Sequence, residues 1–210
     1  MGKLTYLTQK IDSLNEKIGR FSGWLCLALA LITAEQVAAR YLFNAPSNAL
    51  EELKWHLFGA IFLLAGAYTL QEDGHVRVDI FYHNFSTRKK AMVNTLGLLL
   101  FLIPSSLFIL IYGIDFSAMA YNLPNPRPDD FYSLDLAGGI KGSFIYSVLA
   151  PLEGFLRSFL LRGEVSSAQG GLDARWLIKA LIPFGFFLYI LQAISMIVKN
   201  VLFLISTKNS

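Results

Sequence analysis

A chain of 210 residues that is 54% hydrophobic and 14% aromatic, with a mean hydropathy of +0.49, is too apolar for an ordinary soluble domain and falls in the membrane class. Its formal charge is only +3, and its basic residues are scattered through connections rather than massed with aromatics, which argues against nucleic acid as a partner. The single cysteine, Cys26, lies in an apolar run, so an intramolecular disulfide and the paired-cysteine chemistry of membrane thiol oxidoreductases are excluded.

At the N-terminus, Leu4, Leu7, Ile11, Leu14, Ile18 and Phe21 recur at alternating steps of three and four. That spacing predicts an amphipathic helix over 1–18, lying on the inner leaflet and running into a first span near 19–40. Ala28-Leu29-Ala30 has the small-residue pattern of a signal cleavage site, but it sits mid-run behind a region carrying Asp12 and Glu16. An uncleaved signal anchor is the better reading.

Further spans are expected near 51–71, 91–118 and 177–200, since a hydrocarbon core of roughly 30 Å takes about 20 helical residues. The third is longer than required and contains Pro104; the fourth contains Pro183, and both prolines should bend their helices. Trp24, Trp55 and Trp176 fall towards span ends, where interfacial aromatics sit. Between the second and third spans, Val78, Phe81, Tyr82 and Phe85 form a second amphipathic face, and Ser86 is placed to cap the third span.

The connection 122–175 opens with the helix-breaking run Leu123-Pro124-Asn125-Pro126-Arg127-Pro128. Its apolar stretch near 143–162 is interrupted by Pro151, Glu153 and Arg157. As a fifth span it would bury two charges at about 2.5 to 3.5 kcal/mol each, so an interfacial or packed helix is expected, with Glu153 and Arg157 paired one turn apart.

Basic residues set the orientation. Lys3, Lys10, Lys17 and Arg20 precede the first span, and Arg77, Arg88, Lys89 and Lys90 separate the second from the third. Both groups should face the cytoplasm, which puts both termini inside and the 122–175 connection in the periplasm. The fold expected is an all-α integral membrane protein: one membrane domain over 1–210, four transmembrane helices and amphipathic interfacial helices.

Polar residues bracket the second span where lipid requires none. Arg40-Tyr41-Leu42-Phe43-Asn44-Ala45-Pro46 and Glu51-Glu52 stand at one end, and Gly74-His75-Val76-Arg77-Val78-Asp79 at the other. Glu35 falls about 22 Å above Arg20 at 1.5 Å per residue, in the outer third of its span, and Asp115 lies near the outer end of the third. Arg40 and Lys54 belong to the same layer. Glu35, Arg40, Asn44, Glu51, Glu52, Lys54, His75, Asp79 and Asp115 are therefore candidate contacts for a partner subunit or binding protein.

Chemistry has no visible address. His75, Asp79 and His83 are spaced four apart, but Val76 and Val78 alternate with polar residues and Gly74 reads as a helix stop, so no metal site is expected. His56 is the one histidine inside an expected span, which disfavours a haem held by histidine pairs. Neither a Gly-rich phosphate loop nor a nucleophile with a base is visible, so neither catalytic residues nor cofactors are expected.

The run Arg40 to Pro46, the Glu51-Glu52 pair, Gly59-Ala60 and His75-Val76-Arg77-Val78-Asp79 together resemble the small membrane subunit, the DctQ-like subunit, of tripartite ATP-independent periplasmic (TRAP) transporters. The run Gly170-Gly171-Leu172-Asp173-Ala174-Arg175-Trp176 continuing to Pro183, with Gln192 beyond, is similar to the mannitol/chloroaromatic-type subgroup. The likeness covers about 18–120 and 163–205. It implies a secondary transporter of the bacterial inner membrane in which a large membrane subunit moves organic acids with sodium. In that scheme a periplasmic binding protein delivers the substrate and the small subunit braces the large one among membrane lipids. Sodium coupling would belong to the large subunit, and the tail Thr207 to Ser210 is read as a free end, unfused to it. The competing reading is an autonomous four-helix antiporter with Glu35 as its proton-coupled acid.

Overall fold

The computed structural model describes residues 2–44, 47–72, 74, 85–124, 162–168 and 171–206. The candidate helix at 143–162, apart from Arg162, lies outside the described residues, as does the face formed by Val78, Phe81 and Tyr82. All regular structure among the described residues is helical. Four helices are long and apolar enough to cross a membrane: α1 (Gly2–Leu42), α2 (Asn48–Gln71), α3 (Thr87–Asn122) and α4 (Trp176–Ser206).

Each helix has a local cause. Ser47 caps α2, its hydroxyl accepting from Leu50 N at 3.4 Å, and Ser86 caps α3 by accepting from Lys89 N at 3.4 Å. Within α3 the winding widens over Leu98–Leu102, where Ile103 N–H reaches back to Leu98 O. Pro104 follows at once. A proline has no N–H and crowds the carbonyl four residues back, and a wide turn makes room for it. The Ser105 hydroxyl shares its one proton between Phe101 O at 2.7 Å and Leu102 O at 3.1 Å, supplying a donor where the regular ladder is disturbed.

α1 runs unbroken for 41 residues, about 62 Å at 1.5 Å per residue, so the amphipathic segment and the first span form one continuous helix. Its buried residues are Thr8, Asn15, Ser22 and Gln36, all polar and all on one heptad line. Leu4, Leu7, Leu14 and Phe21 of the N-terminal apolar stripe are exposed, while Ile18 packs against the Leu64, Ala67 and Leu188 cluster. Lipid tails are as apolar as leucine, so burying leucine between helices in a membrane gains little. Small and polar residues make the interior contacts instead.

α4 is the hub, packing on α1, α2 and α3. Against α1 it runs antiparallel through a buried polar ladder. Asn15 Nδ2 donates to Gln192 Oε1 at 2.6 Å, Gln192 Nε2 to Asp12 Oδ1 at 3.1 Å, and Ser195 Oγ to Asp12 Oδ1 at 2.8 Å. Lys199 closes the ladder on Asp12. Against α2 it comes close enough that a Cβ on Gly185 would sit 2.8 Å from Leu63 O, so only glycine fits there.

The antiparallel order leaves two ends. At the distal end α1 and α3 finish and α2 and α4 begin; the start of α1, the end of α2, the start of α3 and the end of α4 lie at the other.

Candidate functional site

The structure divides the Glu51-Glu52 pair, because neighbours on a helix point about 100° apart. Glu52 turns towards the segment 162–175 that leads into α4. Its Oε2 accepts from Leu172 N at 2.8 Å, and its Oε1 accepts the Ser166 hydroxyl. The segment folds on itself around this carboxylate, with Ser166 N donating to Leu172 O at 3.0 Å and Arg175 N to Glu164 O at 3.1 Å. Gly163 starts the turn at φ +87°, a conformation that favours glycine, and its neighbour Glu164 N donates to Ala120 O at 2.8 Å. One acidic side chain of α2 thus ties the end of a long connection to the helix hairpin.

A second cluster fastens the same segment to α3 and α4. Glu164 pairs with Lys179, whose ammonium lies 4.4 Å from the centroid of the Phe116 ring, and Arg175 Nη1 approaches Glu164 Oε1 at 3.9 Å. Tyr121 and Trp176 meet edge to face with centroids 5.1 Å apart.

Glu51 turns the other way, towards α1. It pairs with Lys54 at 2.7 Å, and these two residues face Gln36, Arg40 and Tyr41 across a hollow of about 170 Å³. Gln36 is 4% exposed, and its Nε2 donates to the neighbouring Glu35 Oε2 at 3.1 Å. Glu35 and Arg40 are themselves exposed, and Asn44 stands past the end of α1 at φ +51°. Arg40, Glu51 and Lys54 are therefore brought together, with Glu35 adjoining through Gln36. Glu52 belongs to a different contact, and Asp115 stands apart, exposed on α3. His75 and Asp79 lie outside the described residues.

Sequence reasoning did not single out Glu164, Lys179 or Ser166, which meet only through a folded connection. Nor did it pick out Asn15 and Ser195, although the heptad spacing of Thr8, Asn15, Ser22 and Gln36 marks that line.

Residues 29–128 match the family model described as tripartite ATP-independent periplasmic transporters, DctQ component; they cover the last third of α1, all of α2 and all of α3. Over those residues, just under half of its length, the chain is similar to the DctQ family. It is a small component of a TRAP transporter, multi-pass in the inner membrane, in a family of transporter components rather than enzymes. No curated protein and no solved structure matches the chain. The matched region contains the positions of Arg40, Glu51, Glu52 and Lys54.

Proposed function

We propose that this chain is the scaffolding subunit of a sodium-coupled, binding-protein-dependent importer of organic acids. It braces the large membrane subunit and contributes, through Arg40, Glu51, Lys54 and neighbouring distal-end residues, to docking of the periplasmic binding protein. His75 and Asp79 serve the cytoplasmic surface, and sodium coupling resides in the large subunit.

The distribution of polarity supports the bracing role most. The described polar networks lie between helices or at helix ends, while no more than 28% of the residues in each span's most apolar stretch are buried. The outward faces of α1 and α3 present Trp24, Leu31, Phe101, Phe108 and Met119 to whatever surrounds them. Secondary transporters build substrate sites from broken helices with polar groups near the midplane. The one irregular winding among the described helices, Leu98–Leu102, is lined by apolar side chains alone.

Affinity capture of the tagged full chain from native membranes tests the reading. Recovery of a multispan partner at least about twice this size is expected; recovery of a homodimer alone, or sodium-driven uptake by the chain alone in liposomes, would overturn it. Glu35→Gln separates it from the antiporter reading. A scaffold keeps transport in the reconstituted complex, whereas an antiporter loses it together with proton coupling.

A further inference from the structure

The hollow between the distal ends of α1 and α2 continues into a second one. Both are walled by Glu51 and Lys54. The deeper hollow, of about 240 Å³, runs along Leu29 and Thr33 of α1 and Trp55 and Phe58 of α2, all further from the helix ends than Gln36 and Arg40. Thr33 presents no free hydroxyl proton to it, because its Oγ1 already donates to Leu29 O at 2.7 Å. The groove therefore changes character along the helix axis, from charged and amide groups at the end to an apolar and aromatic trough below.

Its upper part is built to hold something. Gln36 is 96% buried, and its Oε1 is fully shielded without a hydrogen-bond donor, while its Nε2 is committed to Glu35. A buried acceptor left without a donor is costly and uncommon. Arg40 lines the same hollow without an ion pair among the described residues, and the Glu51 and Lys54 pair supplies one charge of each sign. Gln36 Oε1 is closed off from the hollow, so what the hollow offers a ligand is a cationic side at Arg40 and Lys54 and an exposed acceptor at Glu51.

We propose that this groove binds one phospholipid with a zwitterionic, primary-ammonium headgroup, from the leaflet that meets the distal end. The phosphate lies against Arg40 and Lys54, the ammonium donates to the Glu51 carboxylate, and one acyl chain descends past Thr33 between Trp55 and Phe58. A lipid fits better than a protein segment because the polarity gradient follows the bilayer's own order. Charges stand at the helix ends, Trp55 lies within the first turns, and an apolar trough follows. A quaternary ammonium carries no N–H, so a choline headgroup cannot hydrogen-bond the Glu51 carboxylate. The proposal rests on the membrane placement of the four helices and is independent of the scaffold reading.

Native mass spectrometry of the full chain in detergent, titrated with phosphatidylethanolamine or phosphatidylcholine of matched chains, tests it. Retention of phosphatidylethanolamine at least about five-fold above phosphatidylcholine is expected. Arg40→Ala, at an exposed position, should weaken both lipids, and Glu51→Ala should abolish the preference while leaving phosphatidylcholine binding in place. Thr33→Trp, also at an exposed position, should block the trough to both. Equal retention of the two lipids by the unmodified chain, or a preference untouched by Arg40→Ala and Thr33→Trp, overturns the proposal. So does a photocrosslinker at Val37 that labels only protein in native membranes. A lipid-mass adduct there supports it, even if affinity capture recovers no large subunit.

Discussion

Removing the Glu52 carboxylate should loosen the segment before α4 without unfolding the helices. In Glu52→Ala, Leu172 N and the Ser166 hydroxyl lose their acceptor together. A hydrogen bond to a charged group contributes about 1.5 to 3 kcal/mol, and the contact is only part-buried, so the lower end applies and the pair sums to about 3 kcal/mol. Ser166→Ala removes one of the two and should cost about half as much. Because both changes act on one contact, the double variant should be no worse than Glu52→Ala by more than about 0.5 kcal/mol. For a chain of this size that corresponds to a lowering of the unfolding midpoint by roughly 6 to 12 °C for Glu52→Ala, if the segment unfolds with the bundle. The sharper assay is local: a cysteine replacing exposed Ser167, in a chain whose Cys26 is changed to alanine, should react faster with a water-soluble maleimide once Glu52 is gone. Unchanged labelling together with a midpoint shift below about 1 °C would refute the idea that Glu52 holds this segment.

Three further outcomes follow from the packing, each read as a thermal midpoint in detergent. Gly185→Ala forces a Cβ to within 2.8 Å of Leu63 O, a backbone atom that cannot swing aside, and should cost about 1 to 3 kcal/mol or more. Gly97→Ala meets nothing within 4 Å inside a helix and should be neutral or stabilising by about 0.5 to 1 kcal/mol. Asp12→Ala strips an acceptor from Gln192, Ser195 and Lys199 at once and should cost about 2 to 4 kcal/mol, whereas Lys199→Met, at a half-exposed position, should cost under about 1 kcal/mol.

The four apolar helices are legible in the sequence because run length and hydropathy alone decide them. The inward face of α1 is harder to read. An alternating apolar stripe such as Leu4, Leu7 and Leu14 draws the eye because in water that face would be buried. In the structure that stripe stays exposed, where it can rest on the leaflet surface, and the sparse polar line through Asn15 and Ser22 turns inwards instead. The Glu51-Glu52 pair is legible as unusual but not as two contacts, since its division depends on which neighbour lies on each side of α2. Glu52 meets Ser166 and Leu172 across 114 and 120 residues of chain, and a contact made through an irregular connection leaves no periodic trace.

The polar ladder between α1 and α4 also bears on how the protein is made. Its hydrogen bonds join residues 177 to 187 positions apart, a helix synthesised early to one synthesised much later. At about 5 to 20 residues per second, Asp12 and Asn15 wait roughly 10 to 40 s for Gln192 and Ser195 to emerge. Until then the first helix carries an unsatisfied polar line that suits neither lipid nor the interior of a finished bundle. A chain stopped before α4 should therefore remain a substrate for membrane proteolysis, and arrival of α4 becomes the event that satisfies the polar line of α1.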